Sequence, residues 1–253
     1  MKVHILGATG FIGGNIARAA LENGWHVRGF RRDPDSVGDL GGLDIEWVNG
    51  DLNDPDSLRS AMKNVDIVFH AAAFYPNGGR PNEVPSQVKT AEKEISTVIE
   101  AIQDSQVRRL IYTSSLTTIG QPPPGELRLA DERDIYIPGT LAKSGYYESK
   151  IAMEKKVITA AKGGMDAVVL CPTAVFGPGD VHLTLSSMLI AVARGKVPAW
   201  LPGDINVIDV REVGAAHIAA AINGRKGERY ILGDHNFTIR GALEEAARTA
   251  GVN

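Results

Sequence analysis

The chain has 253 residues, is 43% hydrophobic and carries a formal net charge of -3. That length buries a substantial core in one large domain or one and a half, and the small net charge gives no electrostatic reason to expect nucleic acid or an anionic membrane as partner. The single cysteine, Cys171, excludes an intrachain disulfide and points to a reducing compartment.

Val3, Ile5 and Leu6 read as a short strand at the start of the chain, which leaves no room for a signal peptide. Gly7, Gly10 and Gly13 follow at regular spacing, and residues 15–22 read as a helix with Ile16, Ala17, Ala20 and Leu21 on one side. A strand, a glycine turn and a helix start together make an anion cradle. The glycines let backbone approach a pyrophosphate, and the helix N-terminus offers free N–H groups and the positive end of its dipole. The alternative is a glycine-rich loop that only turns the chain; its place between strand and helix favours a dinucleotide. Residues 25–30 form a second strand, with Arg31 and Arg32 directly at its end. An acidic residue there binds a free ribose 2′-hydroxyl and an arginine a 2′-phosphate, so the pair predicts NADP, with NAD as the alternative because Asp33 and Asp35 stand near enough to neutralise it.

Residues 45–48 read as a third strand, and a helix over 55–62 starts behind Asp54 as its N-cap. The longest apolar run, around residues 65–74, is too short to span a bilayer and contains Asp66 and His70. It is read as a fourth strand running into His70-Ala71-Ala72-Ala73, small residues against which a cofactor can lie. His70 itself is read as a packed strand-end histidine rather than a catalyst. Residues 74–85 are a loop placed to rim a pocket, and 88–103 a helix with Ile95, Val98, Ile99 and Ile102 on one face. A strand over 110–112 ends in Thr113-Ser114-Ser115. The three consecutive prolines within 121–125 require a surface loop. A long helix over 144–161 and a strand over 167–170 follow.

Beyond Cys171 and Pro172 the pattern loosens: a helix over 183–194, a strand at 207–208, a helix over 212–222, a strand over 229–232 and a last helix over 241–250. Glu212 reads as a first-turn acid beneath an Asp209 cap. Strands alternating with helices predict an α/β fold of the Rossmann type, a doubly wound parallel sheet with the reactive strand ends along one edge. The division expected is a nucleotide-binding domain over 1–170 and a small, short substrate region over 171–253, with about 205–225 returning to the first domain.

Tyr146 and Lys150 lie four apart near the start of the long helix, so their side chains share a face. A phenol near pKa 10 is a poor acid or base at neutral pH unless a neighbouring cation stabilises its phenolate. Ser115, at a strand end, can hold a carbonyl or hydroxyl oxygen by hydrogen bonding. Tyr147 is the rival phenol, three residues from Lys150, and spacing alone does not exclude it.

Together Gly7-Ala-Thr9-Gly10-Phe11-Ile12-Gly13, Gly50-Asp51-Leu52, His70-Ala-Ala, Tyr112-Thr-Ser-Ser115, Tyr146-x-x-x-Lys150 with Glu154, and Pro172-Thr173-Ala-Val175-Phe-Gly-Pro178 resemble the extended short-chain dehydrogenase/reductases, the NAD(P)-dependent epimerase/dehydratase family. Residues 206–212 and 227–233 resemble its dihydroflavonol-reductase-like branch and hopanoid-associated sugar epimerase-like members. The resemblance implies Tyr146 as acid/base, Lys150 on the nicotinamide ribose and Ser115 on the reacting C–O group, and it selects Tyr146 over Tyr147. It implies Gly7, Thr9, Gly10, Phe11, Ile12 and Gly13 around the pyrophosphate, Arg31 and Arg32 at the 2′ position, and Asp51 and Leu52 at the adenine. Ala71, Ala72, Ala73 and Thr113 are implied along the cofactor, and Pro172, Thr173 and Val175 around the nicotinamide. No metal is implied.

Nucleotide-sugar epimerases often carry arginine where Cys171 stands, so a diphosphate-sugar substrate is less expected. Relatives usually continue past residue 253, so the chain reads as a short member or a piece of a longer one, with an open substrate side. The leading reading is a cytoplasmic reductase moving hydride between NADPH and a ketone, aldehyde or alcohol. An epimerase or dehydratase that keeps its cofactor is the alternative, and a non-catalytic NADP sensor is an alternative of another class. A small-molecule carbonyl or sugar substrate and a homodimer are the expected partners, without nucleic acid or membrane.

Overall fold

The computed structural model describes residues 1–72, 80–138, 144–180, 186–197, 199–200 and 202–252. In chain order the elements are β1 (Lys2–Leu6), α1 (Phe11–Glu22), β2 (His26–Arg31), β3 (Ile45–Asn49), α2 (Pro55–Ala61), β4 (Ile67–His70), α3 (Val84–Gln103), β5 (Arg109–Thr113), a 3₁₀ turn (Leu116–Thr118) and α4 (Gly145–Lys162). There follow β6 (Ala167–Pro172), β7 (Ala174–Phe176), α5 (Ser186–Ala193), β8 (Asp204–Asp209), α6 (Val210–Asn223), β9 (Arg229–Leu232), β10 (His235–Thr238) and α7 (Ile239–Ala250).

Strands β1, β4 and β6 are almost continuously buried, the pattern of strands covered on both faces. They sit inside a seven-stranded sheet of order β3-β2-β1-β4-β5-β6-β9, and every pairing in it is parallel. This is the doubly wound parallel sheet expected from the alternation of elements. Side chains alternate between its faces: Leu110 and Tyr112 enter the core under α2, α3 and α4, while Ile111 enters the core under α1 and α6. The strand order reverses between β1 and β4, the switch point where doubly wound sheets offer a crevice outside their C-terminal strand ends. A second sheet, β10-β8-β7, carries the small lobe, where α5 and α7 pack together.

Several boundaries differ from the expectation for local reasons. Helix α1 begins at Phe11 rather than at 15, because Gly13 and Gly14 lie in its first turns and their poor helix propensity hid them. Helix α3 begins at Val84 rather than at 88. Pro85 is tolerated in its first turn, where the missing N–H has no bond to lose, so residues 84 and 85 do not belong to the expected loop. Strands β7 and β10 went unread: one is three residues long and the other, His-Asn-Phe-Thr, is largely exposed and polar. Asp54 and Asp209 cap α2 and α6 as expected, accepting from the backbone N–H of Asp56 and Arg211. Residues 74–79, half of the loop expected over 74–85, and the start of the helix expected at 183 lie outside the described residues. No helix among the described residues is long and apolar enough to cross a membrane.

Three histidines, His4, His70 and His217, are fully buried. Burial, helped by the Arg28 charge at His4 and the Lys150 charge at His70, pushes them down to about 3, about 3 and about 4 respectively. The fold therefore holds their neutral forms. Their stabilising contribution is complete above the unfolded value near 6.5 and is lost as pH falls from there towards 3 to 4. Each is expected to cost about 2 kcal/mol of unfolding free energy between pH 7 and pH 5, ahead of the carboxylates. Urea titrations at the two pH values check this, and His4→Leu should shrink the drop by about one such increment. A flat profile from pH 7 to 5 contradicts it.

Candidate active site

The crevice is built first from close backbone approach. Gly7 has φ +88°, and a Cβ there would lie 2.7 Å from the Ala72 nitrogen; a Cβ at Gly13 would run into the Gly7 carbonyl. Ala71 and Ala72 both donate backbone N–H to the Leu6 carbonyl, at 3.0 and 2.9 Å, which seats them directly against the glycine turn. Gly10 N-caps α1 without a side-chain bond, and no acid stands in the first turn. The free N–H groups of Phe11, Ile12 and Gly13 thus meet no counter-charge from the chain, as a dinucleotide diphosphate requires. Thr9 is covered by the turn at Gly38, and Ala73 lies outside the described residues. The side chains of Phe11 and Ile12 pack on Val175, Ile208, Val210 and Val213, leaving only their backbone to the cradle.

At the far end the two arginines differ. Arg31 lies over the Trp47 ring at 5.1 Å, bonds Asn49 Oδ1 at 3.0 Å and reaches the Ser36 carbonyl at 3.3 Å. Arg32 is exposed, with Asp51 as the charge it faces. Asp51 accepts from the Asn53 backbone at 2.8 Å, which holds its carboxyl below the usual range. Leu52 packs on the core under α2 and α3.

The reactive groups meet at the end of β5. Lys150 is buried on α4, donates from Nζ to the Thr113 carbonyl at 3.1 Å, and stands 5.7 Å over the Tyr112 ring. Burial lowers it to about 8, while the charges of Glu154 and Glu94 resist the fall. Ser115 follows two residues after Thr113 and caps the 3₁₀ turn, its Oγ accepting from the Thr117 N–H at 3.3 Å. Tyr147 packs on buried Tyr136, with ring centroids 6.0 Å apart, and so serves the wall. Tyr146 stands edge-on to Tyr147, with ring centroids 6.2 Å apart, and is among the groups that raise Tyr112, after burial and Glu154. His70, read from sequence as a packing residue, stacks edge-on against Tyr112 at 5.6 Å.

Other residues hold this corner without having been assigned a role. Thr113 Oγ1 meets His217 Nε2 at 2.8 Å. Because His217 Nδ1 donates to the Val213 carbonyl at 2.7 Å, Nε2 is the accepting nitrogen and the threonine donates. Glu154 and Arg229 pair at 2.9 Å, both buried. The advance signal for Glu154 was its place in the family motif with Tyr146 and Lys150, which gave it no role. Pro172 and Thr173 sit beside Leu232 of β9, and the Thr173 hydroxyl is buried with no partner among the described residues, a site for a ligand's polar group. One expectation is corrected: Cys171 is fully buried against Thr118 and Glu154, at 3.7 Å from each, so its identity says nothing about a sugar diphosphate.

Residues 3–233 match the model of the NAD dependent epimerase/dehydratase family. A Synechocystis protein, named provisionally as a dihydroflavonol 4-reductase, is 33% identical over 98% of this chain and 72% of its own length. Sterol demethylase protein B of Methylococcus capsulatus is 31% identical over 96% of this chain and 73% of its own. Among solved structures, a nucleoside-diphosphate-sugar epimerase from Pseudomonas aeruginosa superposes with a TM-score of 0.87 at 26% identity, covering 100% of this chain and 78% of that one.

The buried ammonium makes Lys150 a strained residue. Its folded pKa lies below its unfolded value, so at neutral pH the charge opposes folding, and the penalty fades as pH rises from about 8 towards 10.5. Lys150→Met is therefore expected to raise the unfolding free energy at pH 7 by about 1–2 kcal/mol, after allowing for the orphaned Thr113 carbonyl. The gain should narrow at pH 10. Urea unfolding at both pH values decides it, and a destabilised variant at pH 7 overturns the strain argument.

Proposed function

The chain belongs to the NAD-dependent epimerase/dehydratase family and is an NAD(P)-dependent enzyme; from that premise we propose that it is a reductase moving hydride from NADPH to a ketone or aldehyde. The observation that carries the chemistry is the buried Lys150 ammonium bonded to the Thr113 carbonyl, two residues before Ser115 and one helical turn beyond Tyr146. Lys150 stabilises developing phenolate on Tyr146, Tyr146 passes its proton to the carbonyl oxygen, and Ser115 hydrogen-bonds that oxygen as charge builds on it. Gly7 to Gly13 and the N-terminus of α1 hold the diphosphate, Ala71, Ala72 and Thr113 lie along the cofactor, and Pro172, Thr173 and Val175 close the nicotinamide end. When bound, NADPH supplies the hydride.

Reduction rather than epimerisation is supported by the names of the relatives, among them cinnamoyl-CoA reductase 1 of Arabidopsis thaliana at 26% identity over 92% of this chain. It is also supported by Arg32, whose exposed guanidinium suits a ribose 2′-phosphate. Arg31 is committed to Trp47, Asn49 and Ser36, so Arg32 is the residue that reads the phosphate.

A charge-assisted bond of roughly 1.5–3 kcal/mol corresponds to a ten- to hundredfold preference for NADP over NAD. Arg32→Ala should remove most of it, whereas Arg31→Ala should act mainly on stability. Dissociation constants for both cofactors measure this, and equal affinities in the wild-type protein end the NADP reading.

Tyr146→Phe should abolish turnover while NADPH still binds near wild-type strength, with a much smaller effect from Tyr147→Phe. The test of the reaction itself is incubation with NADPH and a panel of ketones, aldehydes and nucleotide sugars. Stoichiometric loss of nicotinamide absorbance supports the reductase. Conversion of a sugar without net absorbance change supports the second reading, an epimerase.

A further inference from the structure

One buried carboxylate collects more of the reactive corner than any catalytic role explains. Glu154 lies two turns after Tyr146 and one after Lys150 on α4, so the three share the face turned towards the end of β5. Its Oε2 accepts from Ser114 Oγ, and from Thr118 Oγ1 at 2.6 Å. Those two hydroxyls stand on either side of Ser115. Its Oε1 faces Arg229 Nε at 2.9 Å. Arg229 in turn donates to the Thr118 carbonyl at 2.9 Å, and to the Glu132 and Asp134 carbonyls at 3.2 and 3.4 Å, so the strap returning over the turn is tied to the same pair.

We propose that Glu154 is a positioning residue: its carboxylate grips the chain at Ser114 and Thr118 and thereby fixes Ser115 and the Thr113 carbonyl against the Tyr146–Lys150 face of its own helix. The proposal rests on the reading of Ser115, Tyr146 and Lys150 as the reacting set. A buried ion pair used only for stability has no need to bond the two hydroxyls that bracket a reacting serine, and such pairs are poor stabilisers compared with apolar packing. What this one supplies is geometry. Serine, tyrosine and lysine come from a strand end and a helix, and the carboxylate ties the first to the second within one residue of the serine.

The decisive measurement needs no known substrate. With NADP⁺ bound, the phenolate band of the wild-type protein is titrated and the component lost in Tyr146→Phe is assigned to Tyr146. Lys150, the cation proposed to govern it, is faced by His70 of β4, Glu94 of α3, Tyr112 of β5, Cys171 of β6, and Glu154 of its own helix. All but Glu154 are left unchanged by the test variants. Glu154→Gln should raise the Tyr146 transition by about one pH unit, while the dissociation constant for NADP⁺ changes less than about threefold. Thr118→Val, isosteric but without the hydroxyl, should shift it in the same direction, and Thr118→Ser should stay at the wild-type value. With any carbonyl compound the wild-type protein reduces, Thr118→Val should lower kcat about tenfold and leave KM in place.

If Glu154→Gln does not fold, the two Thr118 variants decide. Unchanged titrations and rates in Thr118→Val, or equal losses in Thr118→Val and Thr118→Ser, overturn the proposal, because then only packing is at work. A wild-type protein that binds NADP⁺ but has no transition removed by Tyr146→Phe fails earlier, at the assignment of Tyr146, and takes the proposal with it.

Discussion

An ammonium shut away from water is the constraint around which this corner of the protein is arranged. Lys150 is almost wholly buried, and burial alone would drive it neutral. It stays largely charged near neutral pH because a main-chain carbonyl at the end of β5 accepts a hydrogen bond from it, an aromatic face lies beneath it, and Glu154 and Glu94 oppose the desolvation. None of these can be supplied by a mobile loop. The carbonyl has to sit at a fixed height above the sheet, which a parallel strand held by neighbours on both sides provides. The helix carrying the lysine has to lie flat against that strand, which the apolar underside of α4, Met153 and Val157, secures. A charge held this way is preorganised in a dry site, and the cost of burying it is carried by the surrounding packing.

The same strand end is held from the opposite face. Thr113 turns its hydroxyl to His217 while its carbonyl serves Lys150, so α6 contributes to the reactive corner without touching it. Helix α6 also packs closely on α1: a Cβ on Gly214 would lie 2.8 Å from the Asn15 carbonyl. The helix that begins at the glycine turn is thereby linked through α6 to the strand end bearing Thr113. Phe11 and Ile12 extend the link to Val175 and Ile208 of the second sheet. The glycine turn, the end of β5 and the small lobe are thus packed together through α1 and α6.

Most of the large sheet was readable from sequence, because its strands are short apolar runs and its helices carry one apolar face. The glycine turn and the spacing of Tyr146 and Lys150 were readable for the same kind of reason: each is a local pattern with a local consequence. What escaped was of two kinds. Gly13 and Gly14 disguised the first turn of α1, and β10 disguised itself by exposure; in both, packing at a distance overrides what the residues prefer. The other kind was long-range polar pairing. Thr113 and His217 are separated by 104 residues, and Thr118 and Arg229 by 111. No period or spacing announces such a partner, so the motif that contains Glu154 names neither Thr118 nor Arg229. The difference between Arg31 and Arg32 escaped for a related reason, since only the neighbouring strand, bringing Trp47 and Asn49, commits the first of them.

Cys171 shows how far a residue's place in a motif falls short of its orientation. On β6, Val168 and Leu170 enter the core under α1 and α6, whereas Val169 and Cys171 turn to the core under α3 and α4. That alternation aims the thiol at Glu154 and Thr118, and burial together with the Glu154 charge pushes it up to about 12, where it is an inert small hydrophobe. The cation that Glu154 requires comes from Arg229, one strand further along the sheet. Past the end of β6 the chain leaves the large sheet at Pro172 and turns through β7 into the small lobe. The chain beyond Pro172 is nonetheless bound into the same corner, since Arg229 of β9 pairs with Glu154 and His217 of α6 meets Thr113.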